Sequence, residues 1–217
     1  MQIQKFLHSC LCLIEGNQRL LIDPGSFSFI EGKLRPEDLP LADIILLTHE
    51  HPDHYYPDAL KIITATRKPI IITNENLALL LRNQSLAANV IRAGESIKQG
   101  AFTIQGIKAP HGDLPVSKPD NIGFLINGML FHPGDSLKFS LPKPPKVLAL
   151  PVTAPWLTLQ QAIETALRAK AESVIPIHDA ICKDFMLERI YAMCKQVLGI
   201  HGITFRPLEL GELLEIQ

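Results

Sequence analysis

The feature that most constrains the fold is a run of metal-binding side chains directly after an apolar segment. Residues Asp43–Thr48 (DIILLT) have the continuous apolar pattern of a strand buried on both faces. The sequence HEHPDH follows at positions 49–54, and its three imidazoles and the Asp53 carboxylate are four candidate ligands within six residues. Divalent ions such as Zn²⁺ bind these groups. Because the end of a buried strand fixes the loop that follows it, the pattern predicts a metal site rather than a histidine-rich surface loop.

Three more candidate ligands follow apolar, strand-like segments later in the chain. His111 stands in the sequence APHG, Asp135 in HPGDS and His178 in IPIHD. A lone histidine is more often structural, so none of these residues would indicate a metal by itself. As an ordered set with the first motif they favour metal binding, because five imidazoles and two carboxylates provide enough donors for two divalent cations.

The HxHxDH pattern and the three later residues together resemble the signature of the metallo-β-lactamase superfamily. The resemblance covers nearly the whole chain. It implies an α+β fold, an αββα sandwich of two packed mixed sheets with helices on the outer faces, formed by a single domain over residues 1–217. It also implies two sets of ligands joined by a bridging carboxylate. The sets are His49, His51 and His111 on the first metal, Asp53, His54 and His178 on the second, and Asp135 between them.

Two such ions define the expected chemistry. The imidazole-rich set favours zinc, and manganese or iron fit the same donors, because selectivity depends on geometry and supply. Two cations that share one water lower its pKa and generate a nucleophile at neutral pH. We therefore expect a hydrolase whose metal-bridging hydroxide attacks a lactone or acyl ester or a phosphodiester, with Asp53 as a catalytic proton acceptor. The alternative is a non-hydrolytic metal-binding or redox module on the same fold.

Two further features narrow the branch of the superfamily. True β-lactamases generally lack the bridging carboxylate at the position of Asp135, whereas the glyoxalase, phosphodiesterase, ribonuclease and lactonase branches keep it. The segments HSC (8–10) and LIDP (21–24) resemble the compact predicted metal-dependent hydrolases related to ascorbate-6-phosphate lactonase, except that Leu7 replaces a glycine. This resemblance places His8 near the metals as a catalytic residue, either a substrate contact or a donor to a ligand; a buried structural histidine is the alternative. Asp23 is expected to orient a ligand histidine, with an Asx turn as the alternative.

Hydrophobic periodicity predicts strands followed by helices in each half of the chain, and hence two sheets packed face to face with helices outside. An Asn-Gly pair at 127–128 predicts a tight hairpin. The predicted helices and their candidate caps are Pro57–Thr66 with Asp58, Asn76–Asn83 with Asn74, Thr158–Ala171 with Thr158, and Asp184–Leu198.

Composition excludes several classes of partner. The formal net charge is −1, without the basic excess of a nucleic-acid-binding protein. No apolar run reaches the 18 or so residues of a membrane span. The four cysteines match no zinc-ribbon or CxxC spacing and indicate reduced thiols, hence a cytoplasmic protein. We expect a small-molecule substrate, and the family resemblance is compatible with a homo-oligomer.

Overall fold

The computed structural model of this chain describes residues 1–216. Within that range the chain forms fourteen strands and four α-helices. The strands are β1 (Gln2–Lys5), β2 (Leu11–Glu15), β3 (Gln18–Ile22), β4 (Ile44–Leu47), β5 (Ile70–Thr73), β6 (Ala88–Val90), β7 (Ser96–Gln99), β8 (Phe102–Lys108), β9 (Ile122–Ile126), β10 (Leu130–His132), β11 (Val147–Pro151), β12 (Ser173–Ile177), β13 (Thr204–Phe205) and β14 (Leu213–Glu215). The helices are α1 (Pro57–Thr66), α2 (Glu75–Asn83), α3 (Leu159–Ala169) and α4 (Asp184–Ile200), with short 3-10 helices at Ser26–Gly32 and Pro36–Asp38.

The strands form two seven-stranded mixed sheets. The first has the order β14-β1-β2-β3-β4-β5-β6, and the second has the order β13-β12-β11-β10-β9-β8-β7. In each sheet the strand pairing changes part-way across. In the first sheet the pairs from β14 to β3 are antiparallel and the pairs from β3 to β6 are parallel. In the second sheet the pairs from β7 to β10 are antiparallel and the pairs from β10 to β13 are parallel. Each α-helix connects two consecutive parallel strands, as parallel pairing requires.

Three apolar layers hold the sheets and helices together. The largest lies between the sheets and contains Leu20 and Ile44 from the first sheet and Phe124 and Ile175 from the second. A second layer joins the first sheet to α1 and α2, and a third joins the second sheet to α3 and α4. The predicted αββα sandwich is therefore confirmed. Each fully buried Leu or Ile contributes roughly 1.5–3 kcal/mol, so these layers are the main source of stability.

Local sequence signals explain where several elements begin. The side chain of Asn74 accepts a hydrogen bond from the Leu77 amide at the start of α2, and Thr158 forms a capping box at the start of α3. Asn127 and Gly128 both have positive φ, as the tight hairpin requires. The expected cap Asp58 was wrong: α1 begins at Pro57, which favours the first helical position, so Asp58 lies inside the first turn.

The length and apolar character of the helices show whether any of them could span a membrane. Among residues 1–216, none of the helices has the length and apolar character needed to cross a bilayer.

Candidate metal centre

The candidate ligands lie in loops that follow strands of both sheets. The first motif follows β4, His111 follows β8, Asp135 follows β10 and His178 follows β12. His8 lies in the loop between β1 and β2. The fold therefore brings all of the ligand positions expected from the sequence to one end of the sandwich.

These residues form two groups whose ligand atoms lie within 4.8 Å of one another. We call them the Asp135 cluster and the Asp53 cluster, after their carboxylates. The Asp135 cluster contains His49, His51, His111 and Asp135. The Asp53 cluster contains His8, Asp53, His54 and His178. Each cluster matches one set that the family resemblance implies, and His8 is the addition.

Hydrogen bonds at Nδ1 fix the orientation of four buried imidazoles. Each of these rings uses Nδ1 for a bond to the protein, which directs Nε2 toward the centre. The pairs are His49 with Thr48 Oγ1 (3.0 Å), His54 with Asp23 Oδ2 (2.7 Å), His111 with the Gly112 carbonyl (2.8 Å) and His178 with the Thr153 carbonyl (2.5 Å). Where the partner is a carbonyl or carboxylate, Nδ1 donates, so the neutral ring presents a lone pair at Nε2.

Asp23 is fully buried, and its carboxylate contacts Thr48 and His54. Its Oδ1 accepts the Thr48 amide at 2.8 Å, and its Oδ2 accepts the Thr48 hydroxyl at 2.7 Å and faces His54 Nδ1. Its carboxylate thus holds both the strand end and one ring of the Asp53 cluster. This geometry is the one expected for a carboxylate that orients a ligand histidine.

Asp135 lies between the two clusters. Its Oδ1 is 2.9 Å from His54 Nε2, and its Oδ2 is 3.3 Å from the Nε2 atoms of both His111 and His178. His49 Nε2 lies 3.8 Å from the same Oδ2. One carboxylate therefore faces histidines of both groups, which is the arrangement that a bridging ligand needs.

Asp53 occupies a similar position within its own cluster. Its Oδ2 lies 3.2 Å from His8 Nε2, 3.3 Å from His178 Nε2 and 3.7 Å from His54 Nε2. Unlike Asp135, it is partly exposed, with 16% of its side-chain surface accessible. The Asp53 cluster is thus open to solvent at its carboxylate.

Unpartnered buried atoms show that the donor set fits metal ions. Within the described residues, five buried ligand atoms form no hydrogen bond: the Nε2 atoms of His49, His54, His111 and His178, and Oδ1 of Asp135. Buried polar atoms normally have partners, and leaving one unpaired costs about 1–3 kcal/mol. Five such atoms converging on one place are what two divalent cations would satisfy.

The charges of these groups also suit cations. Burial lowers the pKa of His8 to about 4 despite the neighbouring Asp53, and it lowers the pKa of His49 well below its usual value. Burial acts in the same direction on His178, but the Asp135 carboxylate outweighs it and raises that pKa to about 9. The surrounding histidines hold the pKa of Asp135 well below its usual range, although burial alone would raise it. The ionised Asp135 carboxylate thus stabilises positive charge on His178, and it would stabilise a bound metal cation in the same way.

Backbone strain is concentrated at the same place. His8, Asp23 and His178 all have φ between +45° and +59°, a region that few residues other than glycine adopt. Such conformations cluster at functional sites, where surrounding contacts stabilise them. His8 adopts this conformation directly after Leu7, the position at which the related pattern has glycine.

Several residues that lie near the candidate ligands in the sequence belong to neither cluster. His132 places Nε2 3.0 Å from the Ser9 carbonyl, and its Nδ1 accepts the Gly134 amide. Glu50 belongs to neither group. Tyr55 donates to the side chain of Gln84 and packs in the apolar layer beside α1.

Sequence reasoning missed residues that position the centre. Thr153 uses its hydroxyl and its carbonyl to hold His178, and Asn121 accepts the Asp135 amide at 3.2 Å. Trp156 was also missed, although its ring centroid lies 5.7 Å from that of His111 and 6.0 Å from that of His178. It is the one tryptophan in the chain, and its place 22 residues before His178 in the sequence gave no signal of contact.

Comparisons with known proteins agree with this geometry. Residues 2–178 match the family model of the beta-lactamase superfamily domain. The chain is 31% identical to a Mycobacterium tuberculosis protein over 195 residues, covering 83% of this chain and 85% of that protein. It is 27% identical to a UPF0173 metal-dependent hydrolase of Thermoplasma volcanium, covering 79% and 80%. Among solved structures, a metallo hydrolase of the archaeon Ignicoccus hospitalis has the same fold, with a TM-score of 0.78, 22% identity and coverage of 100% and 99%.

Proposed function

Since this chain belongs to the beta-lactamase superfamily and several of its relatives are named metal-dependent hydrolases, we propose that it hydrolyses an ester-like bond with a binuclear metal centre. The bond is a lactone or acyl ester, or a phosphodiester. The observation that carries the proposal is that the unpartnered Nε2 atoms of four buried histidines approach Asp135, which faces both clusters and whose own Oδ1 is also unpartnered.

The proposed ligands divide between the clusters. His49, His51 and His111 would hold one ion, His54, His178 and Asp53 would hold the other, and Asp135, which faces histidines of both groups, would serve both. We favour zinc because the set is rich in imidazole; manganese and iron accept the same donors. When bound, the two ions supply a nucleophile from water at neutral pH and stabilise negative charge on the scissile group.

Asp53 is the candidate proton acceptor of the reaction. Burial alone would raise its pKa, but the neighbouring imidazoles of His178, His8 and His54 together outweigh burial and hold that pKa well below the usual range, so the carboxylate is ionised at neutral pH. Its described contacts all use Oδ2, and this leaves Oδ1 of the partly exposed side chain available to receive a proton. His8 donates to the same Oδ2 and keeps the carboxylate oriented.

The substrate approaches from the side where the centre is partly exposed. His51 and Asp53 are half-buried there, in contrast to the other histidines. Two partly exposed aromatic rings lie beside histidines of the clusters: Phe27 is 5.2 Å from His8, and Trp156 is next to His111 and His178. Aromatic side chains near the centre suit a small organic substrate with an apolar part.

Metal content and turnover together test the proposal. Untagged protein purified without chelator should contain close to two equivalents of metal by inductively coupled plasma mass spectrometry. It should then hydrolyse a member of a panel of lactones, nitrophenyl esters and bis(nitrophenyl) phosphate. Asp135→Asn should lower metal content and abolish turnover, whereas His201→Ala, which removes an exposed histidine far from the ligand set, should do neither.

Two outcomes would contradict the proposal. Protein that takes up no metal after reconstitution would refute the binuclear centre. Protein that binds two equivalents but cleaves nothing in the panel, while its metals change oxidation state under mild oxidants, would favour the redox alternative.

A further inference from the structure

The geometry points to Lys5 as a positioning residue that holds His8 and His178 in place for the Asp53 cluster. The inference rests on the proposed metal centre, but Lys5 is not a ligand: no described contact joins it to a side chain of either cluster. It acts through the backbone and through Asp179.

Lys5 is buried, with 3% of its surface exposed, and it uses its whole donor capacity inside the protein. Its Nζ donates to the carbonyl oxygens of Phe6 and His8, both at 2.9 Å. Its third partner is the Asp179 carboxylate, whose oxygens lie at 3.2 and 3.3 Å. An ammonium has three N–H groups, so each one has an acceptor.

The partners of Lys5 belong to the two loops that carry strained histidines. His8 and His178 both have φ of +59°. Lys5 binds the carbonyl of the first directly, and Asp179 is the residue that follows the second. A residue in this conformation persists only where surrounding contacts hold it, and here one ammonium contributes to holding both.

These two histidines must be placed relative to each other. Their ring centroids are 4.2 Å apart, and both Nε2 atoms approach the same oxygen, Oδ2 of Asp53. One loop comes from the first sheet and the other from the second, so their spacing depends on contacts between the sheets. The Lys5–Asp179 pair is such a contact, and its members are 174 positions apart in the sequence.

Helix α4 completes the network. The Tyr191 hydroxyl donates to Asp179 Oδ2 at 2.8 Å, which fixes the carboxylate that Lys5 contacts. Helix α4, the loop after β12 and the end of β1 are therefore joined behind the Asp53 cluster.

The network does not extend to the other cluster. His49 and His111 are oriented by Thr48 and by the Gly112 carbonyl, neither of which contacts Lys5. Loss of Lys5 should therefore weaken one metal site and spare the other. A residue that only stabilised the fold would affect both sites alike.

The test is the affinity of each metal equivalent in Lys5→Met. Zinc titrations of chelator-treated protein by isothermal calorimetry should show two equivalents for the wild type. In the variant, one should bind as before and the other about 10–100-fold more weakly, the usual effect of removing a partner that orients ligands. Tyr191→Phe, which removes one hydrogen bond from Asp179, should give a smaller loss in the same direction.

Three controls make the result decisive. Cys194→Ala alters a buried residue of α4 outside both clusters and should keep two normal equivalents. The double variant Lys5→Met/Asp179→Asn removes both buried charges, so it should fold more readily than Lys5→Met while keeping the weak second equivalent. Imidazole ¹⁵N spectra of metal-free protein should show shifted His8 and His178 signals and unchanged His49 and His111 signals in Lys5→Met.

Two normal equivalents in Lys5→Met, or equal weakening of both, would overturn the inference. If the wild type itself binds no metal, the proposed function fails, and the imidazole spectra still decide whether Lys5 positions the two rings.

Discussion

Gly25 is the position where the smallest change should disturb the centre most. Its amide donates to the Asp23 carbonyl at 2.8 Å, close to the loop of the first motif. A Cβ atom at residue 25 would lie 1.9 Å from the carbonyl oxygen of Asp53 and 2.3 Å from the amide nitrogen of His54. Both are backbone atoms of the Asp53 cluster, so no side-chain rotation relieves the overlap.

Gly25→Ala therefore requires this loop to move. The displacement is about 1.1 Å, the difference between 1.9 Å and the 3.0 Å below which real Cβ contacts essentially never fall. A misplacement of about 1 Å at a reacting centre costs on the order of 100-fold in rate. Overpacking costs about 1–3 kcal/mol, which for a chain of this size lowers Tm by roughly 2–12 °C.

Metal content, calorimetric Tm and hydrolysis rate measured on the same preparation check this reasoning. The matched control is Gly199→Ala in α4, where a Cβ has no atom within 4 Å. Alanine is favoured over glycine inside a helix by about 1 kcal/mol, so the control should bind metal normally and unfold at the same or a higher temperature. A Gly25→Ala protein with two equivalents of metal, wild-type Tm and wild-type rate would refute the steric argument.

Three further predictions concern other parts of the molecule. Asp23→Asn should keep the fold, because asparagine tolerates positive φ. It should weaken metal binding about 10–100-fold, because the bond to His54 Nδ1 changes. Calorimetric zinc titration measures this affinity, with His201→Ala as the control. Cobalt(II) should quench the fluorescence of Trp156 and saturate near two equivalents, and quenching that never saturates would contradict its place beside both clusters. Of the four thiols, the partly exposed Cys182 should react first with Ellman's reagent, and Cys182→Ser should remove that fast phase.

The buried strands and amphipathic helices were predictable because their patterns are local. The run at 43–48 contains β4, Pro57–Thr66 is α1 with the predicted bounds, and Thr158 caps α3. The strands β1, β6 and β14 were not predicted. They are short, and β1 carries polar side chains at three of its four positions, so only pairing with distant strands identifies it.

The candidate metal centre was likewise predictable from the sequence only in part. The ligand positions follow apolar strands and form an ordered motif, so a sequence can indicate them; their role as metal ligands stays a prediction. Apart from Asp23, the residues that hold the histidine rings in place could not be predicted from the sequence. Thr153 acts partly through a carbonyl that every residue possesses, and Lys5 acts across 174 residues of sequence. Neither leaves a pattern, and a lysine at the end of a strand gives no sign of being buried.

The distribution of the two clusters along the chain has a consequence for biosynthesis. All four members of the Asp135 cluster have been synthesised by residue 135, whereas the Asp53 cluster lacks a ligand until residue 178. One of the two strands that pair with β1, the strand that precedes the loop of His8, comes later still, at residues 213–215. Since chains fold from the N-terminus during synthesis, we expect the two ions to enter in a fixed order on the nascent polypeptide. A ribosome stalled between residues 135 and 178 would carry a chain that has the ligands for one ion and not for the second.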